Sequence, residues 1–224
     1  MKLEPFAHGL ATPVHAAHRP NAYRLGGKRL LDLSLCLAAL MVLAPVMALI
    51  WAALKRGGGP ALFRQRRVGA GGRVFDCLKF RSMVPDAEAA LCVLRDQDPA
   101  IDREWRLNQK LLNDPRITPL GNLLRRTSLD ELPQLWNVLR GEMSLVGPRP
   151  FTVEQTELYR QAGGAAYFLM RPGLSGEWQV SGRGRTSFAD RVGYDDLYWQ
   201  RLSLAHDLRL LAATLPAVLR AKGQ

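Results

Sequence analysis

The sequence predicts an α+β chain, mostly helical, held in a membrane by a re-entrant N-terminal helix–break–helix and carrying a cytoplasmic domain with one small β-hairpin. Three observations predict it. An uncharged run reaches from Leu33 to Leu54. Polar and apolar residues alternate on either side of Gly69–Gly72. From Thr127 onward, apolar residues recur at helical spacing. A chain of 224 residues holds one ordinary domain plus an anchor. With 47% apolar residues it can form a core, and its net charge of +11 calls for an anionic partner. That partner is nucleic acid, an anionic membrane surface or a phosphorylated substrate.

Taken in order, residues 1–27 read as a mobile tail, with His8, His15 and His18 among prolines and alanines. Residues 28–56 are the membrane segment. The uncharged run has the length of a bilayer span. It is too long for a signal-peptide core, and no suitable cleavage site follows. It is apolar on every side, as lipid requires. Pro45, near its middle, removes a backbone donor and crowds the preceding turn, so a kink or break is expected there. Both flanks are basic: Lys28 and Arg29 before, then Lys55, Arg56, Arg64, Arg66 and Arg67 after. Basic flanks stay on the cytoplasmic side. A straight span would place one of them outside, whereas a hairpin entering and leaving by the inner leaflet keeps both inside. Each such residue near anionic lipid contributes about 1 kcal/mol.

Residues 57–224 form the cytoplasmic domain. Leu62–Val68 and Val74–Phe80 read as a β-hairpin around Gly69–Gly72. Residues 87–112 read as polar helix broken at Pro99, and Pro115 and Pro119 bracket a turn. Thr127–Arg140 reads as an amphipathic helix, with Leu132, Leu135, Trp136 and Leu139 on one face and Gly141 as its stop. A helix over 152–162 and a Gly-rich stretch with a short strand follow. Residues 197–221 read as a helix with the stripe Leu204, Leu208, Leu211, Leu215 and Val218, either packed on the core or lying at the membrane interface.

Cys36, Cys77 and Cys92 are an odd number without metal-ligand spacing, which fits a reducing compartment. The histidines show no ligand pattern, and neither a P-loop nor a dinucleotide fingerprint is present. Without a nucleic-acid motif, and with a membrane segment, nucleic acid is excluded as the partner.

The chemistry-bearing stretch is 127-TSLDELPQLWNVLRGEMSLVGPRP-150. Ser128 and Glu131 fit a capping box, or Asp130 is itself an N-cap. The same position suits chemistry. A helix N-terminus keeps Asp130 and Glu131 ionised. Two adjacent carboxylates can bind Mg²⁺ and leave an oxygen free to attack. Arg149 lies between Pro148 and Pro150, which restrict its backbone and aim a guanidinium suited to phosphate. Lys79, Arg81, Arg125 and Arg126 supply further positive charge near the acids, fit for a substrate with several negative charges. In 171-RPGLSGEWQVSGRGR-185 the glycines let backbone N–H groups approach an anion, and Arg171, Arg183 and Arg185 add charge.

These motifs resemble one family. The stretches 79-KFRSM-83, 127-TSLDELPQLWNVLRGEMSLVGPRP-150, 171-RPGLSGEWQVSGRG-184 and 194-YDDLYWQRLSLAHDLRLL-211 look like the small monotopic polyprenyl-phosphate phosphoglycosyl transferases. Those enzymes begin exopolysaccharide assembly in bacteria. The resemblance runs from about Lys28 to the C-terminus and is nearest to the undecaprenyl-phosphate galactose phosphotransferases. It implies transfer of a hexose-1-phosphate, galactose or glucose, from a UDP-sugar to undecaprenyl phosphate. UMP would be released and a covalent phosphosugar intermediate formed, with Mg²⁺ as cofactor. Carried over, Asp130 attacks the sugar-bearing phosphate and Glu131 positions Mg²⁺ and the reacting group. Arg149 and Arg81 hold phosphate charge, Lys79 and Asp195 shape the nucleotide site, and Arg183 contacts substrate. The setting is the cytoplasmic face of the bacterial inner membrane, and a homodimer is left open. Two positions depart from the family pattern: Ala44 stands where a serine is common before the membrane proline, and Gly184 where an asparagine follows Ser-Gly-Arg.

Overall fold

The structure is a computed structural model and describes residues 22–108, 111–182 and 187–219. The expected tail lies outside the described residues as far as residue 21. Its last part, Tyr23–Gly27, is a π-helical turn that leads directly into helix α1, Lys28–Arg56. With 29 residues, α1 is about 43 Å long. It is the one helix among the described residues long and apolar enough to cross a membrane. The break expected at Pro45 is absent: the helix continues through it. Proline removes a single bond of the ladder, and so long a helix retains the rest on both sides. The middle of α1 is bare, with Met41, Val42 and Leu49 exposed by 77%, 73% and 72%. A core helix of a soluble protein would bury these residues.

The remaining elements are β1 (Leu62–Val68), β2 (Val74–Phe80), α2 (Ala87–Gln97), α3 (Pro99–Asn108), α4 (Pro119–Thr127), α5 (Gln134–Arg140), β3 (Ser144–Val146), α6 (Thr156–Gln161), β4 (Gly173–Ser175), α7 (Arg191–Arg201) and α8 (Leu204–Leu219). The strands form two small sheets, β1–β2 and β3–β4. The hairpin and the break at Pro99 fall where the sequence places them. The chain divides into two compact units.

One unit takes in the chain up to Cys36, Arg66–Phe75 and Val138–Thr214. Its core is aromatic: Val68, Phe151, Tyr159, Tyr167 and Val192 are buried together. Phe151 lies 4.9 Å from Tyr159 and 4.3 Å from Tyr167, ring centre to ring centre. Both tyrosine hydroxyls find acceptors, as buried ones must: Tyr167 donates to the Val68 carbonyl at 2.5 Å and Tyr159 to Asp195 Oδ2 at 2.7 Å. Strands β3 and β4 run parallel, with Ser144 opposite Gly173 and Val146 opposite Ser175. Gly147 follows β3, and a Cβ there would collide with the Arg171 carbonyl. A Cβ on Gly173 would collide with Gly147 in turn. Gly173, a glycine of the expected anion-binding loop, therefore serves close backbone packing.

The start of α1 is held in the same unit. Asp32 accepts from Ser144 Oγ at 2.8 Å and from the Leu145 N–H at 3.0 Å. Arg29 caps the end of α5 by donating to the carbonyls of Val138 and Leu139 at 2.6 and 2.9 Å. Lys28 donates to Asp207 at 2.7 Å, and Asp207 also accepts from Tyr23 and Tyr198. The expected C-terminal helix is two, α7 and α8, parted at Leu202. Asp207 and Leu210 face inward, so the stripe members Leu204 and Leu208 stay exposed rather than joining the core.

The other unit takes in Leu37–Gln65, Asp76–Asn137 and the chain from Leu215. Ile50 and Leu54, near the end of α1, pack with Ala61, Phe80 and Leu124. Buried Asn137 ties α5 to β2: its Nδ2 donates to the Asp76 carbonyl at 2.8 Å, and its Oδ1 accepts from the Leu78 N–H at 3.0 Å.

Candidate active site

The expected amphipathic helix over Thr127–Arg140 is interrupted, and the interruption carries the two acids. Helix α4 ends at Thr127, capped at its start by Thr118 Oγ1, which accepts from the Gly121 N–H at 2.9 Å. Ser128 then turns left-handed, with φ at 57°, the one positive φ on a non-glycine residue among those described. Leu129–Glu131 form a 3₁₀ turn, and α5 begins only after Pro133. Ser128 makes no side-chain cap. Neither the capping box nor an Asp130 N-cap is present, and a helix N-terminus is not what holds these carboxylates. The expected apolar face is also rotated: Leu135 is buried and Trp136 half-exposed, while Gln134, Asn137 and Val138 turn inward.

Strand β2 supplies the opposing charge. Lys79 Nζ lies 2.8 Å from Glu131 Oε1, with both side chains mostly buried. Asp130 is only 8% exposed. Burial raises its pKa above the ordinary carboxylate value, Glu131 adds to that rise, and Lys79 and Arg125 oppose it. Arg125 is held by its Nε, which donates to Ser82 Oγ at 2.8 Å. Arg81, two residues beyond Lys79, turns to the end of α1. Its Nη2 donates to the Leu54 carbonyl at 3.1 Å, and its Nη1 is buried without a hydrogen-bond partner. A Cβ on Gly59 would lie 2.6 Å from that Nη1. Arg81 thus caps α1, a role its expected place at a phosphate did not include.

Lys79, Arg81, Asp130 and Glu131 belong to one unit, Arg149 and Asp195 to the other, and Arg183 lies outside the described residues. Arg149 follows β3, and its guanidinium lies 5.9 Å from the centre of the Trp178 ring. Asp195 is 5% exposed and accepts from Tyr159, so it is a buried support. Its pKa is pushed up to about 7 by burial, against the pull of the Tyr159 hydrogen bond and Arg191. Arg191 and Trp178 carry this part of the unit and were missed in the sequence. The available signal was the i, i+4 spacing of Arg191 and Asp195 on one helix.

A buried carboxylate beside an ion-paired one, opposed by Lys79 of β2 and Arg125 of α4, suits the handling of a phosphorylated substrate. Comparison with known proteins bears on which. Residues 23–221 match the family model described as bacterial sugar transferase. The chain belongs to the bacterial sugar transferase family. Among similar bacterial sugar transferases, exopolysaccharide production protein ExoY of Rhizobium meliloti is 45% identical over 217 residues, covering 95% of this chain and 96% of that one. The UDP-galactose-lipid carrier transferase of Erwinia amylovora is 47% identical over 197 residues, covering 88% of this chain and 41% of that protein. The UDP-glucose:undecaprenyl-phosphate glucose-1-phosphate transferase of Caulobacter vibrioides is 40% identical over 200 residues, covering 86% of this chain and 69% of that one. The chain therefore spans nearly all of ExoY and less than half of the Erwinia protein.

Proposed function

We propose that this bacterial sugar transferase moves a hexose-1-phosphate, galactose or glucose, from a UDP-sugar to undecaprenyl phosphate at the cytoplasmic face of the inner membrane. The observation that carries the reading is the buried Asp130 beside the Lys79–Glu131 ion pair, in a chain whose relatives carry such transferase names. An Asp130 oxygen attacks the sugar-bearing phosphorus. The phosphoanhydride bond breaks, and its electron pair leaves with UMP. An oxygen of the lipid phosphate then attacks the same phosphorus, the aspartyl–phosphorus bond breaks, and the Asp130 carboxylate is restored. Lys79 keeps Glu131 in place and offsets charge beside Asp130. Phosphoryl transfer asks mainly for such positioning and neutralisation.

Mg²⁺ fits this donor set. Among the described residues no group of three or more His, Cys, Asp or Glu could cage a metal. Mg²⁺ needs only one or two carboxylates when substrate phosphates supply the remainder. Asp130 and Glu131 are adjacent hard-oxygen donors in one turn and would hold it. When bound, it neutralises phosphate charge.

Both ends of α1 are read as cytoplasmic, with the middle inserted in the inner leaflet. Support comes from what holds each end: Ser144 and Leu145 at Asp32, and Ala61, Phe80 and Leu124 at Ile50 and Leu54.

The test supplies UDP-galactose or UDP-glucose, Mg²⁺ and polyprenyl phosphate to the detergent-solubilised chain. UMP release that depends on the lipid, and a phosphosugar adduct on Asp130, are expected. Asp130→Asn should abolish both. Unchanged lipid-linked sugar formation by Asp130→Asn would remove the nucleophile.

A further inference from the structure

Glu177 and His206 form a charged pair, in the unit built on the aromatic core, that the chemistry above does not use. Glu177 stands just before a π-helical turn, Trp178–Gly182, and His206 lies in the first turn of α8. His206 Nε2 is 2.8 Å from Glu177 Oε1, and each side chain is only 10% exposed. Nε2 nevertheless makes no directed hydrogen bond. The carboxylate is met off the line of the ring N–H, so charge rather than direction holds the contact. A neutral ring with its lone pair at Nε2 would face oxygen lone pairs at that distance. The geometry therefore calls for the imidazolium.

The other groups around His206 are engaged elsewhere. Its backbone N–H donates to Ser203 Oγ at 3.3 Å. The Tyr198 ring of α7 lies 6.0 Å away, centre to centre, and its hydroxyl is 2.8 Å from Asp207 Oδ1 and 3.0 Å from the Val146 carbonyl. Asp207, the next residue, is answered by Lys28 and Tyr23. Glu177 is thus the charge set against the imidazole.

The same stretch of chain is tied to α8 a second time. Ser175 Oγ bonds Thr214 Oγ1, about two turns further along the helix, and that hydroxyl pair carries no charge. Gly176, between the two ties, packs so closely on the Gly147 carbonyl that a Cβ would collide with it. The turn itself is closed by the Val180 N–H, which donates to the Gly176 carbonyl at 3.1 Å. One tie to α8 is therefore indifferent to pH and the other depends on it. Imidazole changes charge between about pH 5 and 8. Its neutralisation would leave the Glu177 carboxylate buried without an opposing charge, which is costly.

We propose that Glu177 and His206 are a pH-sensitive clasp that fastens the Trp178–Gly182 turn to α8. With the imidazole protonated, the turn is closed. As pH rises through neutrality the ring loses its proton, the attraction ends, and the turn opens locally while Ser175 stays tied to Thr214. The clasp does not depend on the transfer reading.

Hydrogen exchange of the full chain in detergent micelles, read by mass spectrometry at about pH 5.5 and about pH 8, tests it. Rates are corrected for the intrinsic effect of pH on amides. Protection of residues 177–182 should fall by about tenfold at the higher pH, the loss expected for a charge-assisted contact. Protection of Gly173–Ser175 should stay. Glu177→Gln and His206→Gln should each show the low protection at both pH values. His206→Lys keeps its charge at both and should restore protection at the higher pH, which a merely structural role would not predict. If His206→Gln does not fold, Glu177→Gln and His206→Lys carry the comparison. Asp195 is unaltered in all three variants, so a fall that persists in them belongs to another group and overturns the clasp. Equal protection of the unaltered chain at both pH values overturns it too.

Discussion

Ser128 is where a single residue decides the geometry of the site. Its left-handed backbone ends α4 and turns the chain into the 3₁₀ turn that presents Asp130 and Glu131. Ser128→Gly should be tolerated, because glycine adopts this conformation freely. Ser128→Val should cost about 1–2 kcal/mol and lower transfer activity, read by thermal unfolding and UMP release. Asp195 gives a pH signature. Its folded pKa of about 7 lies well above that of an unfolded aspartate, because burial disfavours the charge. The folded chain therefore keeps a proton that the unfolded chain releases. That contribution to stability is fully present below the unfolded value of about 3.9 and is lost as pH rises through about 7. Unfolding temperatures measured from pH 5 to pH 8 should fall in the unaltered chain, and Asp195→Asn should flatten the slope. An equal slope in both would show that other groups set it.

At the scale of elements, close approach of β3 and β4 governs the position of Arg149. Gly147 sits where a side chain would strike the Arg171 carbonyl, and Gly173 packs against Gly147. Gly147→Ala should destabilise the fold by about 1–3 kcal/mol through overpacking, measurable by denaturant unfolding. The β1–β2 hairpin was fully legible in the sequence, since strand alternation around a glycine turn is a local signal. The layout of Thr127–Arg140, with its break at the acids, was not. Leu132, Leu135, Trp136 and Leu139 share helical spacing, yet Asn137 turns inward to bond the β2 backbone. That is a long-range hydrogen bond, and no periodicity reports it. Of the two readings of the C-terminal stripe, core packing fails at Leu204 and Leu208 for the same reason: Asp207, a polar residue, is the inward anchor of α8, held by Lys28, Tyr23 and Tyr198. The cationic residues around the acids were legible by type, while the separate duty of Arg81 at the Leu54 carbonyl depends on where α1 ends.

For the whole molecule, the decisive question is the side on which each end of α1 lies. Leu25 and Arg56 are exposed and flank the apolar segment. Cysteines introduced at these two positions, in a chain with exposed Cys92 replaced by serine, should both react with a probe from the cytoplasmic side alone. Labelling from opposite sides would establish a span and end the re-entrant reading. The long apolar helix itself was legible from length and composition. That its start is held by folded residues was not, because those contacts join residues more than a hundred positions apart.

Lys28 and Arg29 were expected to face lipid, yet they are committed to Asp207 and to the carbonyls of Val138 and Leu139. On the re-entrant reading, retention at that end does not rest on ion pairs of these two residues with headgroups. A wash in concentrated salt, which screens surface attraction, should leave the chain in the membrane pellet, and detergent should be needed to release it.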